Sequence, residues 1–175
     1  MGGGYIRTYN NSGRETSYLG TGSDNSGQLR IYDKQGETRS YIGDGYLQAY
    51  NQFGERTIFL GTGTNGGGYL RTYNFSGQES IYVGTGADSS GQIRIYDNSG
   101  ETGSFLGSGY FRTYNKFGKL TTFIGNASDG GGYLRTNNKF ETETVFLGTN
   151  NANEGLINLN DKFGQSFWIR LNKKN

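Results

Sequence analysis

Apolar and polar side chains alternate with a period of two over short stretches of this chain, the spacing that sends successive residues to opposite faces of a β-strand. In YLRTYN (residues 69–74) the second and fourth positions share one face, and the tyrosines and the arginine share the other. Across the chain the second position is Ile6, Leu29, Leu47, Leu70, Ile93, Phe111, Leu134 and Ile157, always apolar. A second strand follows and ends in an aromatic-aliphatic-glycine signature, as in Tyr18-Leu19-Gly20, Phe59-Leu60-Gly61 and Phe146-Leu147-Gly148. Between the two strands stands N-x-x-G, as in Asn10-Asn11-Ser12-Gly13. A type I turn followed by a residue at positive φ closes such a loop, and glycine takes that conformation without a Cβ penalty. Each unit therefore predicts a β-hairpin, and no helix is expected. The seventh unit puts Glu141 where the glycine belongs, which predicts either a strained left-handed Glu or a different turn.

The units open at Tyr5, Gln28, Tyr46, Tyr69, Gln92, Tyr110, Tyr133 and Leu156, so that one short interval recurs after every two long ones. The true period is thus a triplet of units, which returns Tyr5 as Tyr69 and Tyr133, and Gln28 as Gln92. Short units share Q-[LI]-R-I-Y-D and leave through two residues, Asp44-Gly45 or Ser108-Gly109; long ones leave through loops such as TGSDNSG. Glycine linkers Gly66-Gly67-Gly68 and Gly130-Gly131-Gly132 match the opening Gly2-Gly3-Gly4. The whole chain, residues 1–175, reads as one all-β repeat domain of roughly sixteen short antiparallel strands. Its tandem hairpins form either a continuous meander or solenoid, or a three-sided, β-prism-like rod with three hairpins to each turn. The 64-residue period favours the three-sided form. The aliphatic face is expected inward as the core, with the rings outward. The last unit departs from the rule, and Phe167, Trp168 and Ile169 before the tail Lys173-Lys174-Asn175 read as a cap.

Composition narrows the chemistry. With no His and no Cys among 175 residues, imidazole bases, thiolates, zinc knuckles and disulfides are excluded. Leu, Ile, Val and Phe total 35, a thin core supply, yet the net charge is only +2, so a packed, ring-rich architecture fits better than disorder. One hairpin cannot keep its own apolar stripe dry, which points to self-association, a homotrimer or fibre. Interspersed charges give no basic patch for nucleic acid. No run approaches the ~20 apolar residues of a membrane helix, and Met1 to Thr8 does not read as a signal peptide, so a soluble chain without an export address is expected.

The Tyr-Arg rows are the ligand-binding candidates: Arg7 with Tyr9, Arg30 with Tyr32, Arg71 with Tyr73, Arg94 with Tyr96, and Arg112 with Tyr114. Tyrosine faces stack on pyranose rings while guanidinium groups supply hydrogen bonds; the competing reading is a cross-strand ladder that only stabilises the sheet. Asp24, Asp88 and Asp129 offer hard oxygen ligands, but turn geometry accounts for them, and no metal or cofactor is expected. Glu141 and Glu143, two apart on one strand face, are the local carboxylate pair that glycoside hydrolysis would need; a solvated face is the stronger reading and no catalytic residue is assigned. Asn10, Asn74 and Asn126 open N-x-S sequons, and Thr21, Thr62 and Thr85 recur after glycine in what read as loops, whereas a flat ice-binding array needs its threonines in strands.

Units such as GGYLRTYNFSGQESIYVGTG (residues 67–86) resemble the glycine- and tyrosine-rich tandem repeats of bacterial surface proteins and of phage tail-fibre-like shafts. Tyr114-Asn115-Lys116-Phe117-Gly118-Lys119-Leu120 is more faintly similar to the YD repeats of secreted toxin shells, with Tyr-Asp itself at Tyr32-Asp33 and Tyr96-Asp97. The resemblance implies a non-enzymatic, often trimeric shaft or adhesin module. It would sit on a virion, outside the cell or on its surface, without membrane insertion, and a cell-surface glycan is its expected partner through multivalent contacts. The alternative is a compact monomeric carbohydrate-binding lectin.

Overall fold

The hairpin turns are closed by their own sequence. In the first, Gly13 N–H donates to the Asn10 carbonyl at 2.9 Å, Asn10 N–H donates to the Arg14 carbonyl at 2.9 Å, and Gly13 stands at φ 78°. The Asn10 side-chain oxygen accepts from the N–H groups of Ser12 and Arg14 at 2.9 and 3.0 Å, which satisfies the loop's remaining donors. Asn or Asp plays the same part at Asp33, Asn51, Asn74, Asp97, Asn115, Asn138 and Asp161. The two-residue exits Asp44-Gly45 and Ser108-Gly109 have both residues at positive φ, the type I′ geometry that matches strand twist.

A computed structural model describes residues 4–150 and 152–171; Gly2, Gly3 and the tail Lys173-Lys174-Asn175 lie outside the described residues. The chain is all-β, with tandem antiparallel hairpins, and divides into two units, Met1–Ser89 and Ser90–Asn175. The first contains β1 (Ile6–Tyr9), β2 (Glu15–Thr21), β3 (Gly27–Tyr32), β4 (Thr38–Gly43), β5 (Tyr46–Tyr50), β6 (Arg56–Thr62), β7 (Gly68–Tyr73) and β8 (Glu79–Thr85). The second contains β9 (Gly91–Tyr96), β10 (Thr102–Gly107), β11 (Tyr110–Tyr114), β12 (Leu120–Asn126), β13 (Gly132–Asn137), β14 (Glu143–Thr149), β15 (Gly155–Asn160) and β16 (Ser166–Leu171). Within each unit the strands pair in sequence order, the continuous-meander alternative. Thr21, Thr62 and Thr85 close β2, β6 and β8 rather than lying in loops.

Register carries the period of two across the strands. In the first unit Ile6, Leu19, Leu29, Ile42, Leu47, Leu60, Leu70 and Val83 stand opposite one another in one aliphatic row. The other face carries Arg7, Tyr18, Arg30, Tyr41, Gln48, Phe59, Arg71 and Tyr82 in one row. A parallel row on the same face alternates ring and glycine: Tyr46, Gly61, Tyr69, Gly84. A Cβ built on Gly84 would stand 2.5 Å from the Tyr69 Cβ and 2.9 Å from the Gly68 carbonyl oxygen. Glycine there lets the ring two residues earlier and the ring of the facing strand meet over bare backbone. Rings consequently stack across strands, with centroids 5.2 Å apart for Tyr41–Tyr46, 5.4 for Tyr46–Phe59, 5.1 for Phe59–Tyr69 and 5.8 for Tyr69–Tyr82. The second unit repeats this ladder one triplet on, from Phe105 through Tyr110, Phe123 and Tyr133 to Phe146.

Within a single copy the aliphatic face is not the covered one, contrary to the expectation of an aliphatic core. Described strands touch only their sequence neighbours within a unit, so no second layer covers either face. Long planar side chains can still cover one another sideways: Phe123, between Tyr110 and Tyr133 and under the guanidinium groups of Arg112 and Arg135, is the one buried hydrophobic among the described residues, 5% exposed. Leu and Ile are too short for that, and Leu60 remains 51% exposed. Trp168, opposite Leu159, is 42% exposed.

Gly84→Ala should lower stability by about 1–3 kcal/mol, the cost of overpacking a closely packed site. Gly68→Ala, whose Cβ would meet nothing nearer than 3.9 Å, should cost much less. Thermal unfolding of the two variants side by side measures the difference.

Candidate functional site

The Tyr-Arg rows lie on the ring face and are part of its ladder. Arg7 sits 4.6 Å from the Tyr5 centroid and 5.3 Å from that of Tyr18, and its Nε is 3.4 Å from the Glu15 carboxylate. Arg71 repeats this with Tyr69 at 4.7 Å, Tyr82 at 5.6 Å and Glu79 at 3.3 Å. Arg7 and Arg71 are held above the ordinary guanidinium value: for Arg7 chiefly by its hydrogen bond with Tyr9, while for Arg71 the largest influence, burial, works downward and is outweighed by Glu79 and Tyr73. Arg112 stacks on Tyr110 at 4.2 Å and on Phe123 at 5.3 Å. Tyr73 is covered by Arg56, 4.6 Å from its centroid.

The ladder is broken where the short unit begins. Gln28 and Gln92 stand where the long units place tyrosine, opposite Gly43 and Gly107, so no ring fills the space beside Tyr41 or Phe105. A polar hollow includes Gln28 at the first gap, and a second polar hollow reaches Phe105 but not Gln92. The first is bordered by Asp24, Gln28, Arg30, Tyr41, Asp44, Tyr46, Gln48 and Tyr50, and the second by Arg94, Glu101, Thr102, Phe105, Tyr110, Arg112 and Tyr114. The Arg30 and Arg94 guanidinium groups donate to Gln28 and Gln92 at 3.1 and 3.4 Å; the Nε atoms of Arg30, Arg94 and Arg112, like those of Arg71 and Arg135 away from the hollows, are buried without a hydrogen-bond partner among the described residues. The structure thus gathers Arg94, Arg112 and Tyr114 around one hollow and Arg30 beside the other. Arg7 with Tyr9, Arg71 with Tyr73, and the side chains of Tyr32 and Tyr96 are not among the residues bordering either.

Sequence reasoning did not find Asp24 and Asp44 as neighbours, although the two-residue exit of the short unit was the available signal. The hydroxyl and N–H of Ser26, at 2.8 and 3.1 Å, hold the Asp24 carboxyl below its usual range. Removal from water, followed by the Tyr46 hydroxyl and the Asp44 and Asp24 carboxylates, pushes the Tyr41 phenol above its ordinary value. Asp24 and Asp129 each accept a backbone N–H two residues on, the turn role expected of them.

Glu141 and Glu143 do not form a pair on one strand face. Glu141 is in the turn, left-handed at φ 66°, and Glu143 begins β14. The conformation is held by the neighbouring hairpin: the Glu141 carboxylate accepts from Leu120 N–H at 3.1 Å and lies 3.1 Å from Lys119 Nζ. Glu143 instead accepts from the Asn160 amide at 3.4 Å.

No protein-family model and no curated protein matches this chain. A solved structure of the Photorhabdus luminescens Tc holotoxin pore aligns with 90% of it at 12% identity and a TM-score of 0.26, the chain spanning 12% of that one's length.

The Leu120 N–H, and then the Lys119 ammonium, hold the Glu141 carboxyl below its usual range. With the folded-state value below the unfolded one, its stabilising contribution is complete above the ordinary carboxylate range and is lost as pH falls through the lowered value. Glu141→Gln should therefore lower the urea midpoint at neutral pH, and the gap to the parent protein should narrow as the pH falls below the ordinary Glu value of about 4.3. A gap independent of pH would contradict this role.

Proposed function

We propose that this chain is a structural and attachment module, non-enzymatic, whose hairpin units associate with further copies through their aliphatic face, as in a shaft or adhesin on a virion, outside the cell or on its surface. The observation that carries the reading is the asymmetry of the single layer. The ring face packs against itself, whereas in the aliphatic row of the first unit Ile6, Leu19, Ile42 and Leu60 are about half-exposed or more, and Leu29, Leu47 and Leu70 between them are only partly covered. Contiguous apolar surface of this extent marks an interface, and a row repeating at every strand matches its own copy in many registers. Three such rows about one axis give a homotrimer, the stoichiometry we favour.

A second reading, carbohydrate recognition on the ring face, is favoured by the break in the ladder. The hollow beside Gln28 is bordered by the Tyr41 and Tyr46 rings with Arg30, Gln48 and Asp44, a mixture suited to a pyranose. Two such hollows, one in each triplet, would act through avidity.

Native mass measurement should give a whole multiple, above one, of the mass of the single chain. The double variant Leu47→Lys with Leu60→Lys should give the monomer with unchanged β circular dichroism. A parent protein that stays monomeric at tens of micromolar defeats the association reading. For the second reading, Gln28→Tyr refills the gap opposite Gly43 and should abolish binding at the first hollow on titration with oligosaccharides, while raising the melting temperature.

A further inference from the structure

Three consecutive turns of the second unit carry the same two residues in the same places: Lys116-Phe117, Lys139-Phe140 and Lys162-Phe163. The turn itself needs only its Asn or Asp at the first position and a left-handed residue at the fourth; elsewhere the middle positions hold Asn11-Ser12, Lys34-Gln35, Gln52-Phe53, Phe75-Ser76 or Asn98-Ser99, so exposed phenylalanine recurs in the first unit, but lysine directly before it does not. Phenylalanine is therefore not explained by folding. The three rings are 69%, 74% and 73% exposed, and each lysine ammonium lies over its own ring at 5.1, 4.9 and 4.9 Å.

The tips are held against one another. Glu141 ties its turn to Lys119 and Leu120 of the preceding hairpin, and the Asn138 amide donates to the Lys162 carbonyl at 3.1 Å. Phe140 and Phe163 border one apolar notch with Lys139 and Lys162 beside them. Strand spacing puts successive tips roughly 10 Å apart. The local charge is cationic: Glu141 is engaged by Lys119, the Asp161 oxygen accepts from Phe163 and Gln165 N–H at 2.8 and 2.9 Å, and Lys116, Lys139 and Lys162 have no salt bridge among the described residues.

Exposed rings at loop tips with a collar of lysines have the composition of interfacial anchors, apolar at the end and cationic at the level of the headgroups. We infer that this edge of the second unit docks on an anionic lipid bilayer, with Phe117, Phe140 and Phe163 entering the headgroup–acyl boundary and the lysines facing anionic headgroups. A second copy is the poorer occupant, because like charges oppose that contact and the neutral aliphatic face is the self-matching one.

The test is co-sedimentation of the full chain with vesicles of phosphatidylcholine alone and of phosphatidylcholine with about 30% phosphatidylserine, since anionic lipid supplies the attraction. Binding to the anionic vesicles should exceed that to the neutral ones by roughly tenfold and should fall between about 0.05 and about 0.5 M salt as charges are screened. Phe117→Ser, Phe140→Ser and Phe163→Ser together should weaken it by roughly tenfold or more, with unchanged circular dichroism because these rings pack against little. Lys116→Gln, Lys139→Gln and Lys162→Gln together should remove the preference for anionic lipid. The variant carrying Leu47→Gln and Leu60→Gln, which adds no charge, should keep the preference for anionic over neutral vesicles, which separates this surface from self-association. Absence of binding to anionic vesicles, an unaffected Phe variant, or tighter binding to single-stranded DNA than to vesicles overturns the proposal.

Discussion

In a single layer of strands no side chain can be roofed by a second layer, so every stabilising contact has to be made sideways, between neighbours on adjacent strands. Side-chain length and planarity then decide what packs. A tyrosine or phenylalanine reaches across the strand spacing, and centroids of 4.7 to 5.8 Å along both ladders are within the range where offset stacking is favourable. Arginine extends the same contact with a planar cation, as at Arg112 over Tyr110. The arrangement depends on glycine in the facing position, since a Cβ at Gly61, Gly84, Gly125 or Gly148 would stand 2.5 to 2.7 Å from the Cβ of the opposing tyrosine.

The two faces have unequal fates for the same reason. Rings and guanidinium groups cover one another and leave a surface already satisfied by its own ladder. Branched aliphatic side chains stand perpendicular to the sheet and cover one another only in part, so the row from Ile6 to Val83 keeps Leu19, Ile42 and Leu60 about half-exposed. A face that is apolar and cannot cover itself is what supports association as the proposed role. Polar pairs beside it, such as the Thr72 and Ser80 hydroxyls at 2.8 Å, satisfy one another without adding charge.

The triplet period is a device for interrupting this regularity at one place in each repeat. Replacing tyrosine by glutamine at the head of the short unit removes one ring from the ladder, and the type I′ exit brings Asp44 to the side of the gap. Recurrence at Gln92 with Arg94 and Arg112 shows that the interruption belongs to the repeat. The turns carry a different variation. Their framework is fixed by Asx hydrogen bonds and a left-handed residue, which leaves the tips free to differ in chemistry between one unit and the other.

Hairpins, the N-x-x-G turn geometry and the segregation of rings from aliphatics were legible in the sequence, because period-two alternation and N-x-x-G chemistry are local and act within a few residues. The left-handed Glu141 was legible too, as one of two outcomes. Its partners were not: Leu120 lies 21 residues back, and only strand pairing brings its N–H to the carboxylate. The separation of Glu143 from Glu141, the strand positions of Thr21 and Thr62, and the grouping of Arg94 with Arg112 and Tyr114 likewise depended on where the ladders begin and end. Above all, composition alone could not say which face packs. That is settled by what lies over each face, a property of the tertiary arrangement, and with no layer over either of them within a unit, side-chain reach made the ring face the better packed of the two.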